Sequence, residues 1–202
     1  MVGSTAGLTW SQTVFRELAA PLSKLIPECI VRAHERARDG HQGVRTQTLE
    51  AYGHGLHASQ YEELATGLAD LPSATPVRLQ ARTVMVIADQ VLYPIRYSKR
   101  DVPVTVARLR RAVGFRAELI RRHGPEPMQG ELDLGLEELT EKQDYNNDLN
   151  QLDPGLGLVL LAYACAMDTG VMRLEWGDAE LRRGDRHLLW HHHEVLDLPD
   201  AC

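Results

Sequence analysis

Six arginines crowd the segment 102–123: Arg108, Arg110, Arg111, Arg116, Arg121 and Arg122. A guanidinium offers a planar fork of N–H donors that matches phosphate oxygens two at a time. At the helical repeat, Val106, Leu109, Val113, Ala117 and Ile120 gather on one face. Arg108, Arg111 and Arg122 fall opposite, around Phe115 and Leu119. Arginines interleaved with an exposed ring suit a nucleic acid, its phosphates on the cations and a base on Phe115. Arg96, Lys99 and Arg100, just upstream, extend the basic surface. The plainer alternative is a helix packed on two sides, its arginine stems lying along Phe115 and Leu119.

Histidine is the second chemical signal. His191 and His193 are two residues apart in a strand-like stretch, so an ideal strand points both to one face, roughly 7 Å apart. Such a pair chelates zinc or iron if a third ligand converges, and His54, His57 or His187 could supply it. Two imidazoles alone hold metal weakly, so a bound metal is not expected. Asp168-Thr169-Gly170 has the form of an aspartic-protease triplet, but one copy would need a dimer, and a hairpin turn explains the same residues. Asp89 and Lys99 resemble the carboxylate and lysine of metal-dependent nucleases, with Tyr97 where a second carboxylate is wanted. No glycine-rich phosphate loop or nucleophile elbow is present, and no cofactor is expected.

Net charge is −6 over 202 residues, yet it is unevenly spread. The block 76–123 holds 11 basic and 3 acidic residues; the block 124–153 holds 1 basic and 9 acidic. Either the two blocks face each other in the fold, or the basic one meets an external polyanion. The three cysteines are widely spaced, with no CxxC, which argues against a disulfide framework or a four-thiolate zinc site. Cys29 and Cys165 read as small core residues. The longest apolar run, near 156–167, is too short to span a bilayer, and no basic-then-apolar leader opens the chain. A soluble cytoplasmic protein is expected, with no membrane partner.

These residues need elements to position them. Apolar spacing predicts helices over 11–38, broken near Ile26 by Pro21 and Pro27, and over 59–71, with Ser59 and Glu62 as a capping box. A short helix near 46–52 is a further candidate. A hairpin is expected over 83–97, with Pro94 confining its second strand to an edge or a bulge. A helix follows over 102–123, capped by Asp101, and then an acidic surface loop over 124–153. A three-strand meander spans 158–196, with turns at Gly170 and at Arg183-Gly184-Asp185 and a bulge at Gly177. The fold class is α+β: a mostly antiparallel sheet of about five strands, packed by helix 102–123. One domain covers 1–202, with a helical part at 1–75 and an α+β core at 76–202.

On this reading the protein acts by binding. Its expected partner is nucleic acid or another polyanion, held by Arg96, Lys99, Arg100, Arg108, Arg111 and Arg122 with Phe115 beside them. A metal-dependent hydrolase using His191 and His193 is the enzyme alternative. A protein–protein module or homo-oligomer, using an edge strand or the Phe115–Leu119 patch, is the third. Whether the chain is an enzyme is left open.

Overall fold

The computed structural model describes residues 8–127, 147–182 and 186–199. Its centre is a six-stranded sheet in sequential order: β1 (Thr75–Leu79), β2 (Arg82–Ile87), β3 (Gln90–Ser98), β4 (Gly157–Ala166), β5 (Gly170–Leu181) and β6 (Leu188–Val195). Every pairing is antiparallel except β3 with β4, which run parallel. The class is α+β with a mostly antiparallel sheet, as expected, and one strand larger. The extra strand, β1, is an edge with four of its five residues in contact with solvent, so it lacks the apolar alternation that announces a strand.

Three helices cover one face of the sheet: α1 (Trp10–Phe15), α2 (Ala19–Val44) and α3 (Glu50–Gly67). Thr9 and Gln12 cap α1 reciprocally. The chain breaks at Arg16, whose φ is 53°, and not near Ile26. Helix α2 instead runs through Pro27. Ile26, Cys29 and Ile30 are fully buried around that proline, and this packing outweighs the missing backbone hydrogen bond. The separate helices expected near 46–52 and 59–71 are one helix, α3. Packing again prevails over local signals: a Cβ on Gly55 would lie 3.4 Å from the Ala37 Cα, so glycine lets α3 lie close against α2. Phe15, Leu22, Ile30, Tyr52 and Leu56 from the helices share this core with Met85, Leu92, Leu161 and Trp176 from the sheet.

The other face packs on α4 (Phe115–His123) and on the chain at 147–152, where Leu149 and Leu152 are buried. The long helix expected over 102–123 is therefore corrected. Only its last nine residues are α-helical; Val104–Val106 form a 3-10 turn. Between them the chain is extended, because Arg108 bridges His187, and the backbone groups of Ala107 and Leu109 bond to Leu188 and Arg186. Gly114, at φ 101°, then turns the chain into α4. The helical stripe disperses accordingly: Leu109 is buried, but Val106 and Val113 are exposed.

Most of the acidic block 124–153 and the Arg183-Gly184-Asp185 turn lie outside the described residues. Among the described residues, no helix is long and apolar enough to cross a membrane.

Candidate anion-binding cleft

Pro94 lies in an interior strand, on a stretch with no partner on the β2 side, and that strand carries a register irregularity between Arg96 and Ser98, so of the edge or bulge expected it is the bulge that is found. The β2–β3 ladder comprises only three pairs, Ile87↔Gln90, Val86↔Val91 and Met85↔Leu92. It stops two residues short of Pro94, whose nitrogen has no hydrogen to donate. Pairing to β4 continues through Pro94↔Leu161. Beyond Leu92, then, β3 follows β4 and leaves β2, which opens a wedge between those two strands.

A cleft of about 710 Å³ lies at the carboxyl ends of β3 and β4. The ends of adjacent parallel strands are a common place for ligands, because the chain leaves both strands there in loops that can diverge. Arg96 and Lys99 reach the cleft from the end of β3, Arg110 from the extended segment and Arg116 from the first turn of α4. His54, His57 and Gln60 line it from α3, and Tyr163 from β4. The acids in the lining are Glu50 and Asp168. An adjoining recess shares Arg96, Lys99, Arg110 and Arg116 and adds Arg108.

The walls are held by hydrogen bonds. Arg96 Nε donates to the Cys165 carbonyl at 2.8 Å, and its guanidinium lies 5.6 Å from the centre of the Tyr52 ring. The Tyr163 hydroxyl donates to Gln60 Oε1 at 2.6 Å. That fixes the amide, so Gln60 Nε2 donates to His57 Nδ1 at 3.2 Å. Neutral His57 therefore carries its proton on Nε2. Burial, with Arg82, Arg116 and His54 nearby, holds the His57 imidazole below its ordinary value. Beneath the cleft, the Tyr52 hydroxyl lies 2.9 Å from His34 Nδ1 and 3.2 Å from Cys165 Sγ. Cys165 is fully buried and burial pushes its thiol up, so this trio is a packed polar network and not an activated nucleophile.

The cations named from sequence divide. Arg96, Lys99 and Arg108 border the cleft or its recess. Arg100 and Arg111 are exposed and do not line it. Arg122 pairs with Glu118 at 2.9 Å and donates to Asn150 at 3.0 Å, away from the cleft. Phe115 is 9% exposed and walls an inner cavity, so it is no surface ring. Arg110 and Arg116 lie outside the set that helical spacing gathers around Phe115 and Leu119. Neither shares the helical face that drew attention to the others, and only the fold brings them to Arg96.

The histidine pair is also corrected. The β5–β6 register skips a residue: Asp178 pairs with His192 and Ala179 with Trp190, leaving His191 as a bulge. His191 approaches Glu180 at 3.4 Å and His193 meets Glu175 at 2.8 Å. Those glutamates are five residues apart on β5 and so face opposite sides of the sheet. His191 and His193 therefore do not form a chelating pair, while His54 and His57 line the cleft. Among the described residues, no group of three or more His, Cys, Asp or Glu is placed to hold a metal ion. Asp168 sits in the β4–β5 turn, as the hairpin reading has it. Asp89 and Lys99 flank the nine-residue β3 at opposite ends, about 30 Å apart, so no nuclease pair assembles. No protein-family model, curated protein or solved structure matches the chain.

Proposed function

We propose that the protein acts by binding a phosphate-bearing polyanion, with single-stranded nucleic acid as the partner class, in the cleft between α3, α4 and the ends of β3 and β4. One observation carries this: Arg96, Lys99, Arg110 and Arg116 converge on a single concavity against two acids, Glu50 and Asp168. Two acids offset half of that charge, and the positive charge that remains favours a further anion among the cations. Arginine forks and the Nε2–H of His57 supply donors for its oxygens. A concave groove that admits a flexible strand excludes a rigid duplex from its depth.

The test is binding of a single-stranded oligonucleotide measured across salt concentration. Lys99 and Arg110 are exposed, so Lys99→Glu with Arg110→Glu leaves the core untouched. Each lost phosphate contact removes about 0.7 from the slope of log affinity against log salt, so the double variant should lose about 1.4. The same reversal at Arg100 and Arg111, outside the cleft, should change the slope by less than half as much. No binding at low salt, or equal effects of the two double variants, would refute the assignment.

A further inference from the structure

A second cavity, of about 170 Å³, adjoins the cleft at its inner end. His57 and Arg116 line both spaces and form the wall they share. The cavity occupies the wedge where β2 and β3 part: Arg82 and Val84 border it from one strand and Tyr93 from the other. Tyr61 and Phe115 close it from α3 and α4. At about 30 Å³ per water it would hold several, which is more room than a packing defect leaves.

Its polar groups are unbalanced. Arg82 Nε and Arg116 Nε are both buried, and neither has a hydrogen-bond partner. Arg82 does hold the Ala81 carbonyl through Nη1, at 3.2 Å, and the Arg116 guanidinium lies 5.8 Å from the centre of the Tyr93 ring. Both side chains are thus held in place. Two guanidinium groups therefore stand in one lining, and a group that fills the space is favoured if it presents acceptors to them. Among the described residues, none that lines this cavity is acidic. The His57 Nδ1 acceptor is already taken by Gln60.

We infer that this cavity takes one heteroaromatic base of a nucleotide, its ring among Tyr61, Tyr93 and Phe115 and its carbonyl edge toward Arg82 and Arg116. The phosphates then lie outside, against Arg96, Lys99 and Arg110. This rests on the anion-binding reading of the adjoining cleft and adds a base to it. An alkyl group would fill the space but offer neither guanidinium an acceptor. A base brings a flat apolar face and ring acceptors together. Thymine, uracil, cytosine and guanine each carry a carbonyl oxygen; adenine carries none and offers only ring nitrogens as acceptors, beside an amino donor that the arginines disfavour. A free mononucleotide and an unpaired base of a single strand offer the same chemistry, whereas a base within a duplex does not.

The experiment compares equilibrium binding of a thymidine decamer, an adenosine decamer and an abasic decamer of the same backbone. It uses the full chain and its Arg82→Gln and Phe115→Leu variants. The thymidine decamer should bind at least about tenfold more tightly than the abasic one, and more tightly than the adenosine one. Arg82→Gln and Phe115→Leu should each cut the thymidine advantage to threefold or less, with abasic binding changed far less. If a variant does not fold, the comparison among probes on the natural chain decides. Competition by thymidine monophosphate would assign the site to a free nucleotide; tight decamer binding that the monophosphate does not displace would assign it to a strand. Equal affinity for thymidine and abasic decamers overturns the base pocket and leaves the cleft standing. Failure of every decamer to bind at low salt overturns the cleft as well.

Discussion

Along β6, three successive histidines each meet a carboxylate of β5: His191 lies 3.4 Å from Glu180, His192 3.0 Å from Asp178 and His193 2.8 Å from Glu175. At the ends of β3 and β4, by contrast, four cations share a concavity with two acids. Both regions are dense in titratable groups, and both were conspicuous as sequence. The difference lies in local balance. The β5–β6 seam sets a carboxylate beside each histidine, with hydrogen bonds at His192 and His193, and that chemistry goes into holding an edge strand. Among the described residues the cleft sets four cations against two acids, and a surface of net positive charge is one that an anionic partner can complete. Charge density alone does not mark a site; the residue left over after internal pairing does.

The seam can be broken at its closest contact. A Cβ on Gly177 would overlap the His192 carbonyl and come within 2.9 Å of the His193 Cα. Gly177→Ala must therefore push β6 outward, at a cost of roughly 3 kcal/mol in unfolding free energy. Chemical denaturation would measure it. Oligonucleotide binding by the folded fraction should stay unchanged, since β6 contributes only Leu188, in the adjoining recess, and Leu188 pairs with Leu181, away from Gly177. Loss of binding in step with the seam would mean that the two regions are one unit.

Glu175 offers a gentler cut. It is 3% exposed and accepts from His193 Nδ1, with Arg173 Nη1 at 3.7 Å. Glu175→Gln keeps the shape and removes the charge, and should destabilise by about 1.5 kcal/mol. A change under 0.3 kcal/mol in denaturation would show that the pairing is incidental.

The contrast between these regions was only half legible in the sequence. The meander β4–β6 could be read because its apolar runs are bounded by real punctuation: Gly170, at φ 77°, makes the expected turn. The hairpin β2–β3 could be read for a like reason, with Ala88 and Asp89 both at positive φ between two apolar runs. The bulge at His191 could not. It follows from how β6 meets β5 at Gly177, and a single omitted pairing sent His191 and His193 to opposite faces. The cleft was hidden for a broader reason: its cations come from β3, the extended segment and α4, and helical spacing grouped Arg108 with Arg122 when the fold groups Arg110 with Arg116. Pro94 was the one local clue. It is legible as a disturbance of pairing, but only the sheet order shows that the disturbance opens a wedge beneath the cleft.

Acid should weaken the cleft side of the molecule. Burial holds the His34 imidazole below its ordinary value, and burial with Arg82 and Arg116 does the same for His57. The unfolded chain therefore binds protons at these positions more readily than the folded one. Stability from this source is complete above pH 6.5 and declines as pH falls below it. Denaturation midpoints taken from pH 7.5 to 5.5 should drop, and His57→Gln should flatten the drop. An oligonucleotide in the cleft should flatten it too, because an anion beside His57 favours the protonated ring. A midpoint that rises on acidification would contradict the placement of both histidines.

The smallest effect belongs to Arg122, which marks where the cleft ends. It stands in the same basic block as Arg116, about one and two-thirds turns further along α4, and sequence spacing alone would put it on a binding face. In the structure its guanidinium bridges Glu118, four residues before it, and Asn150. Both side chains of the ion pair are about one-third exposed, so water screens the attraction. An i,i+4 pair of this kind contributes about 0.3–0.5 kcal/mol. Arg122→Ala should therefore lower the denaturation midpoint only slightly and leave the salt slope of oligonucleotide binding where it was. A fall of 0.7 or more in that slope would place a phosphate on Arg122. The binding surface would then run along α4 beyond the cleft, and the boundary between matched and unmatched charge would have to be redrawn there.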